Sequence, residues 1–234
     1  MKLKIPLVIG RQSSGEAYIV NLAQLPNLFI SYSNDAQLPD IFLQFIHQLM
    51  QHETTIQLSL SLSSRLAEQV KPPVKNESLF IHFSHADYEE GQINSIDAFI
   101  AVLMEEMKTR KTIFKKSTAS GYLLPAMLVF IDNIFEVIMA SQRKTAFSFI
   151  ELLMTAAPVN MFFIMGSSGI YRNLLEQLMM VTPALKKKMK KSVLSQQIVQ
   201  PLGAELVMNP DGLLFFRERN EKIHRRLYPF IAPN

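Results

Sequence analysis

Residues 126–132 read AMLVFID, with no polar side chain before the final aspartate. A strand with one face on a core and one in water alternates apolar and polar residues. A run that is apolar at every position needs cover on both faces. Residues 160–166, NMFFIMG, are similarly apolar after their first residue. Two such strands commit the chain to a sheet held between layers, and the rest of the sequence must supply those layers.

It does so with helical periodicity. Residues 38–50 carry Ile41, Phe42, Phe45, Ile46 and Leu49 at helical spacing, with Pro39 suited to a first turn. Residues 93–116 place Ile96, Ile100, Leu103, Met104, Met107 and Phe114 on one side of a long helix. Two helices' worth of sequence follows Asp132 up to Ala157, and helix resumes from about Tyr171. Further strands are predicted at residues 28–30, in TIQLSLSL and in SLFIHFS, with Lys71-Pro72-Pro73 breaking the chain between the last two. KIPLVIG and EAYIVNL flank Ser13-Ser14-Gly15 and read as a hairpin. DGLLFF and HRRLYPFI are expected to close the chain as edge strands. The alternation predicts one α/β domain over residues 1–234: a mostly parallel sheet, helices on both faces and an N-terminal β-hairpin.

At 234 residues and 48% hydrophobic, the chain can bury a full core. It has no cysteine, which excludes disulfides and thiolate metal sites. A net charge of +4 is too mild by itself to imply nucleic acid. No run approaches the roughly 18 apolar residues of a membrane span, so a soluble, cytoplasmic chain without direct membrane insertion is expected.

In open α/β sheets ligands bind beyond the carboxyl ends of the strands. The loop from Tyr32 to Leu38 and the pair Asp132-Asn133 both belong there. Four stretches give that crevice a meaning. IPLVIGRQSSGEAYIVNLAQLPNLFIS resembles the lead-in to the motor domain of FtsK/SpoIIIE translocases, with Gly10, Gly15, Glu16, Leu22, Pro26 and Leu28 in register. EEMKTRKTIFKKSTASGY, LPAMLVFIDNIFEVIM and GAELVMNPDGLLFF resemble later segments of that domain. The resemblance implies a P-loop-NTPase-like (RecA-like) fold, and a nucleotide site at the loop after residues 28–30.

The residues such a site needs are replaced. A phosphate loop has the pattern G-x-x-x-x-G-K-[ST], because backbone N–H groups must approach the phosphates and a lysine must reach the β and γ oxygens. By the resemblance, the loop's glycines fall at Tyr32, Asp35 and Gln37, its lysine at Leu38 and its Ser/Thr at Pro39. There is no glycine between Gly15 and Gly91, and no Gly-Lys pair anywhere. The metal-associated aspartate is kept as Asp132, but the glutamate that activates water is Asn133, an amide that cannot accept the water's proton. Ser167 and Ser168 stand at the sensor Gln and the Arg after it. Asp132 also fits a plain helix N-cap after a buried strand. The expectation is a pseudo-ATPase with no catalytic residue, cofactor or metal.

Other chemistry is sparse. His82-x-x-His85, near Asp87, Glu89 and Glu90, has a spacing that suits a metal only on a helix or a tailored turn, and at a strand's end it reads as surface polar residues on a loop. The run Lys186, Lys187, Lys188, Lys190 and Lys191 suits DNA phosphates, an acidic neighbour, anionic headgroups or a solvated helix face. Leu174, Leu178 and Met179 before it suit a core stripe or an adaptable groove for another protein's helix. The last alternative matches a second branch of the family, the coupling ATPases of type VII (ESX-like) secretion, whose modules stand in tandem and whose last module is associated with exported helical-hairpin substrates. The resemblance thus implies an inactive module in substrate recognition and assembly. Its expected partners are exported helical hairpins or adjacent ATPase modules, and its expected place is the soluble part of a membrane-anchored complex. Nucleic acid is not expected as a partner. A DNA-associated scaffold, or a domain with unorthodox nucleotide binding, is the alternative.

Overall fold

The structure is a computed structural model that describes residues 4–25, 27–32, 38–50, 56–62, 80–84, 94–117, 124–134, 137–138, 141–168, 203–218, 221 and 223–229. Ten strands are seen: β1 (Pro6–Arg11), β2 (Ala17–Asn21), β3 (Asn27–Tyr32), β4 (Ile56–Leu62), β5 (Phe80–Ser84), β6 (Ala126–Ile131), β7 (Met161–Ser168), β8 (Ala204–Met208), β9 (Leu214–Arg217) and β10 (Arg225–Leu227). Helices α1 (Leu38–Met50), α2 (Asn94–Ser117) and α3 (Arg143–Thr155) lie between them. Eight strands form one sheet in the order β10-β9-β8-β3-β7-β6-β4-β5. The six from β8 to β5 are parallel, and β9 and β10 extend them antiparallel. This is the expected mostly parallel α/β fold.

Alternate residues of the central strands go to opposite layers. Leu28, Ile30, Leu128, Phe130, Phe162 and Ile164 pack with Phe42, Phe45, Ile46 and Leu49 of α1 and with Leu7, Ile9 and Val20 of the hairpin. Phe29, Met127, Val129, Ile131, Phe163 and Met165 pack with Ile96, Ile100 and Leu103 of α2 and Phe149 and Leu153 of α3. The two-sided burial explains why AMLVFID carries no polar alternation.

Two readings are corrected. β8 lies inside the parallel core against β3, although its sequence AELVM gave no sign of a central strand. Its alternation, with Ala204, Leu206 and Met208 buried and Glu205 and Val207 half-buried, comes from having one well-covered face. β9 is consequently not an edge; only β10 is, at that end. The two helical segments expected before Ala157 are found: helical positions at Ile134, Val137 and Ile138, then, after a break at Ser141 and Gln142, the 13-residue α3.

Polar contacts fix the layers to the sheet. Arg110 of α2, 2% exposed, donates to the carbonyls of Pro125 (2.7 Å) and Val159 (3.5 Å) and to Glu106 (2.7 Å). Asn27 Nδ2, at the start of β3, donates to the Leu153 carbonyl of α3 (3.1 Å). The hairpin turns at Gly15, whose φ of 87° is open to glycine at little cost. Its first strand is capped along the outer edge in two ways. Gln48 of α1 accepts from Val8 N–H (2.9 Å) and donates to Val8 C=O (3.1 Å). Beyond a bulge at Val8–Gly10, Arg11 and Tyr228 exchange both backbone bonds at 2.8 Å.

Candidate functional site

The carboxyl ends of β3, β7 and β6 stand side by side at the centre of the sheet. Tyr32 ends β3, is 6% exposed and belongs to the layer of α1. Leu38 and Pro39 open α1. Phe42, fully buried one turn into α1, meets Phe130 edge-on at 5.9 Å between ring centroids. Gly166 on β7 lies under the same ring: a β-carbon there would stand 3.2 Å from Phe42 and would collide with the carbonyl of Asp132. On the α1 side, then, Phe42 and Phe130 pack together, and the Phe42 ring and the Asp132 carbonyl both crowd Gly166.

On the other side the strand ends are small and polar. Ser31 and Ser167 are register partners on neighbouring strands, 6% and 4% exposed. Asp132, 3% exposed, follows β6 on a bend. The helical positions after it begin at Ile134, and the carbonyl that accepts from Val137 N–H (3.3 Å) is that of Asn133. Asn133 rather than Asp132 therefore holds the N-cap position, one residue later than the sequence suggested. Sequence reasoning also missed Phe42, Gly166 and Ser31. A glycine ending an otherwise apolar strand was the available signal for close backbone approach.

Asp35 and Gln37 lie outside the described residues, as do His85, Asp87, Glu89, Glu90 and Ser33. So do Leu174, Leu178, Met179, Lys186, Lys187, Lys188, Lys190 and Lys191. His82 is on β5, far along the sheet from β3. Among the described residues no three His, Asp or Glu side chains group as a metal site, and no helix is long and apolar enough to cross a membrane.

A second charged group sits where β8, β9 and β10 meet. Glu205 accepts from Arg217 (2.6 Å) and approaches His224 Nε2 (3.2 Å). On the opposite face Tyr18 packs against Phe216 (5.7 Å between centroids) and under the Arg225 guanidinium (5.7 Å). Burial raises the Tyr18 hydroxyl above its ordinary pKa, with Glu218 and Glu221 adding to the rise and Arg225 opposing it. Arg225 pairs with Glu221, and that hydrogen bond lowers the Glu221 carboxyl.

No protein-family model and no curated protein sequence matches the chain. Solved structures do. The chain is similar to ATPases 2 and 3 of Thermomonospora curvata EccC in complex with a signal sequence peptide, at 12% identity and a TM-score of 0.65 over 98% of this chain and 41% of that one. It is similar to ATPases 2 and 3 of EssC from Geobacillus thermodenitrificans, at 12% identity and 0.63 over 99% and 45%. A third is the pCW3 conjugation coupling protein TcpA with ATPγS, at 10% identity and 0.62 over 99% and 68%. The chain thus spans less than half the length of the first two. At these identities the likeness establishes the fold: that of the ATPase modules of type VII secretion and conjugation coupling proteins, in keeping with the FtsK/SpoIIIE resemblance.

Proposed function

We propose that this chain is a catalytically inactive, ATPase-like module of a type VII secretion coupling machine, retained for protein recognition and assembly. The observation that carries the reading is Tyr32. The position where the family's phosphate loop begins with glycine holds a large side chain turned into the α1 layer, 6% exposed. Three replacements support it. Leu38 has no charge to offer a triphosphate, Pro39 has neither hydroxyl nor N–H, and Asn133 is no base. The residues present do not fit a magnesium–nucleotide, and no step of hydrolysis is assigned to them. Isothermal calorimetry with millimolar Mg-ATP is expected to show no binding heat; a micromolar dissociation constant would sink the reading.

The positive half concerns partners. The structures it resembles include paired ATPase modules and one carrying a signal sequence peptide. An exported helical hairpin or a neighbouring module is accordingly the partner proposed here, with Leu174, Leu178 and Met179 as apolar contacts. Lys186, Lys187, Lys188, Lys190 and Lys191 would steer acidic segments. Substituting Leu178 and Met179 by Asp, with the lysines neutralised separately, tests this. A folded variant that loses the partner supports the surface. A folded variant with unchanged affinity places it elsewhere, and unfolding returns those residues to the core.

A further inference from the structure

Ser31 Oγ is buried and has no hydrogen-bond partner among the described residues. Its place in the sheet defines its surroundings. Ile30 and Tyr32 face the α1 layer and Phe29 faces α2 and α3, so Ser31 projects toward α2 and α3. Ser167, two residues after Met165 of that same layer, is its register partner on β7. Val207 flanks it on β8. Neighbouring parallel strands lie about 4.8 Å apart, so the two hydroxyls start from adjacent backbones on one face.

A hydroxyl buried without a partner forfeits the hydrogen bonds it made to water, and native interiors satisfy such groups. Internal waters commonly do this, binding where two to four polar partners converge. We propose that one ordered water binds between the Ser31 and Ser167 hydroxyls at the carboxyl ends of β3 and β7. It would make the polar strand ends a satisfied part of the core, on the face away from Tyr32 and Phe42. The inference does not depend on whether the module meets nucleotide.

The sign of a substitution decides it. With the water present, Ser31→Ala removes one of its partners, and the folding equilibrium constant falls about three- to tenfold. Ser167→Ala does likewise, and the two losses are not additive, because both act on the same molecule. If the site is dry, Ser31→Ala deletes an unsatisfied hydroxyl, and the urea midpoint stays put or rises. An unchanged or raised midpoint, or losses that simply add, would overturn the proposal. A high-resolution crystal structure gives the direct reading: density within hydrogen-bond reach of both hydroxyls in the parent protein and gone from the Ser31→Ala/Ser167→Ala variant supports it, and its absence from the parent refutes it.

Discussion

The carbonyl of Asp132 stands where a β-carbon on Gly166 would lie, and the Phe42 ring closes the same point from above. The end of β6 thereby comes up against β7 at a position that only glycine leaves open. Gly166→Ala should destabilise the domain by about 1–3 kcal/mol, since either the carbonyl or the ring must move. Urea unfolding should show a lower midpoint with an unchanged slope. Adding Phe42→Leu should recover only part of the loss, because the carbonyl remains.

Arg110 anchors the opposite end of the sheet. Its guanidinium serves two backbone carbonyls and one carboxylate from a nearly dry position. Arg110→Ala should cost about 2–4 kcal/mol by stranding those acceptors. Lysine should rescue little, because a single ammonium cannot reproduce the planar fork. Chemical denaturation of both variants would check this, and equal stability of Arg110→Lys and the parent would contradict it.

Gln48 serves Val8 as a third strand would, with its amide meeting both backbone groups. Gln48→Glu keeps the acceptor and loses the donor, for a cost of about 1–3 kcal/mol at neutral pH. The protonated acid can donate to the Val8 carbonyl, so the new carboxyl should have a raised pKa in the folded state. A raised folded pKa gives stability that is complete below the unfolded value and lost as pH rises through the folded one. The deficit against the parent should therefore shrink on acidification; a deficit independent of pH would show that the amide's donor does not matter.

Tyr18 reports on the β10 corner. Burial lifts its hydroxyl, and Arg225 holds that rise in check. Arg225→Ala should push the Tyr18 titration further into the alkaline range, observable by ultraviolet or NMR titration. A shift toward lower pH would mean that Arg225 acts on Tyr18 mainly by covering it from water, so that the solvent admitted on truncation outweighs the lost positive charge.

How legible was this in the sequence? β6 and β7 announced themselves because both faces of each are covered, leaving no polar alternation to misread. α1 and α2 followed from stripes that are in fact buried, from Ile41 to Leu49 and from Ile96 to Met107. β8 was illegible because five residues with Glu205 in second place look like any edge strand. Its central position depends on Gly203, which lets the chain press against Asn27 where no side chain would fit. At the site, the replaced positions could be read one by one, whereas what fills the space could not. Phe42 is an unremarkable stripe residue until the fold sets it over Gly166.

The bridge between Arg11 and Tyr228 has a consequence for the order of events at the ribosome. The β1–β2 hairpin can close once Asn21 is made, and Gln48 can receive it once α1 has emerged. The last rung of its outer edge, however, waits for a residue near the other extreme of the sequence. Between those moments the outer edge of β1 lacks its bridge to Tyr228, and an uncovered strand edge is the sort of template that recruits stray strands. A charged side chain at Arg11 and the bulge beside it are features that disfavour pairing of such an edge with another chain. The outer edge of β1 is thus finished only when the chain around Tyr228 reaches it.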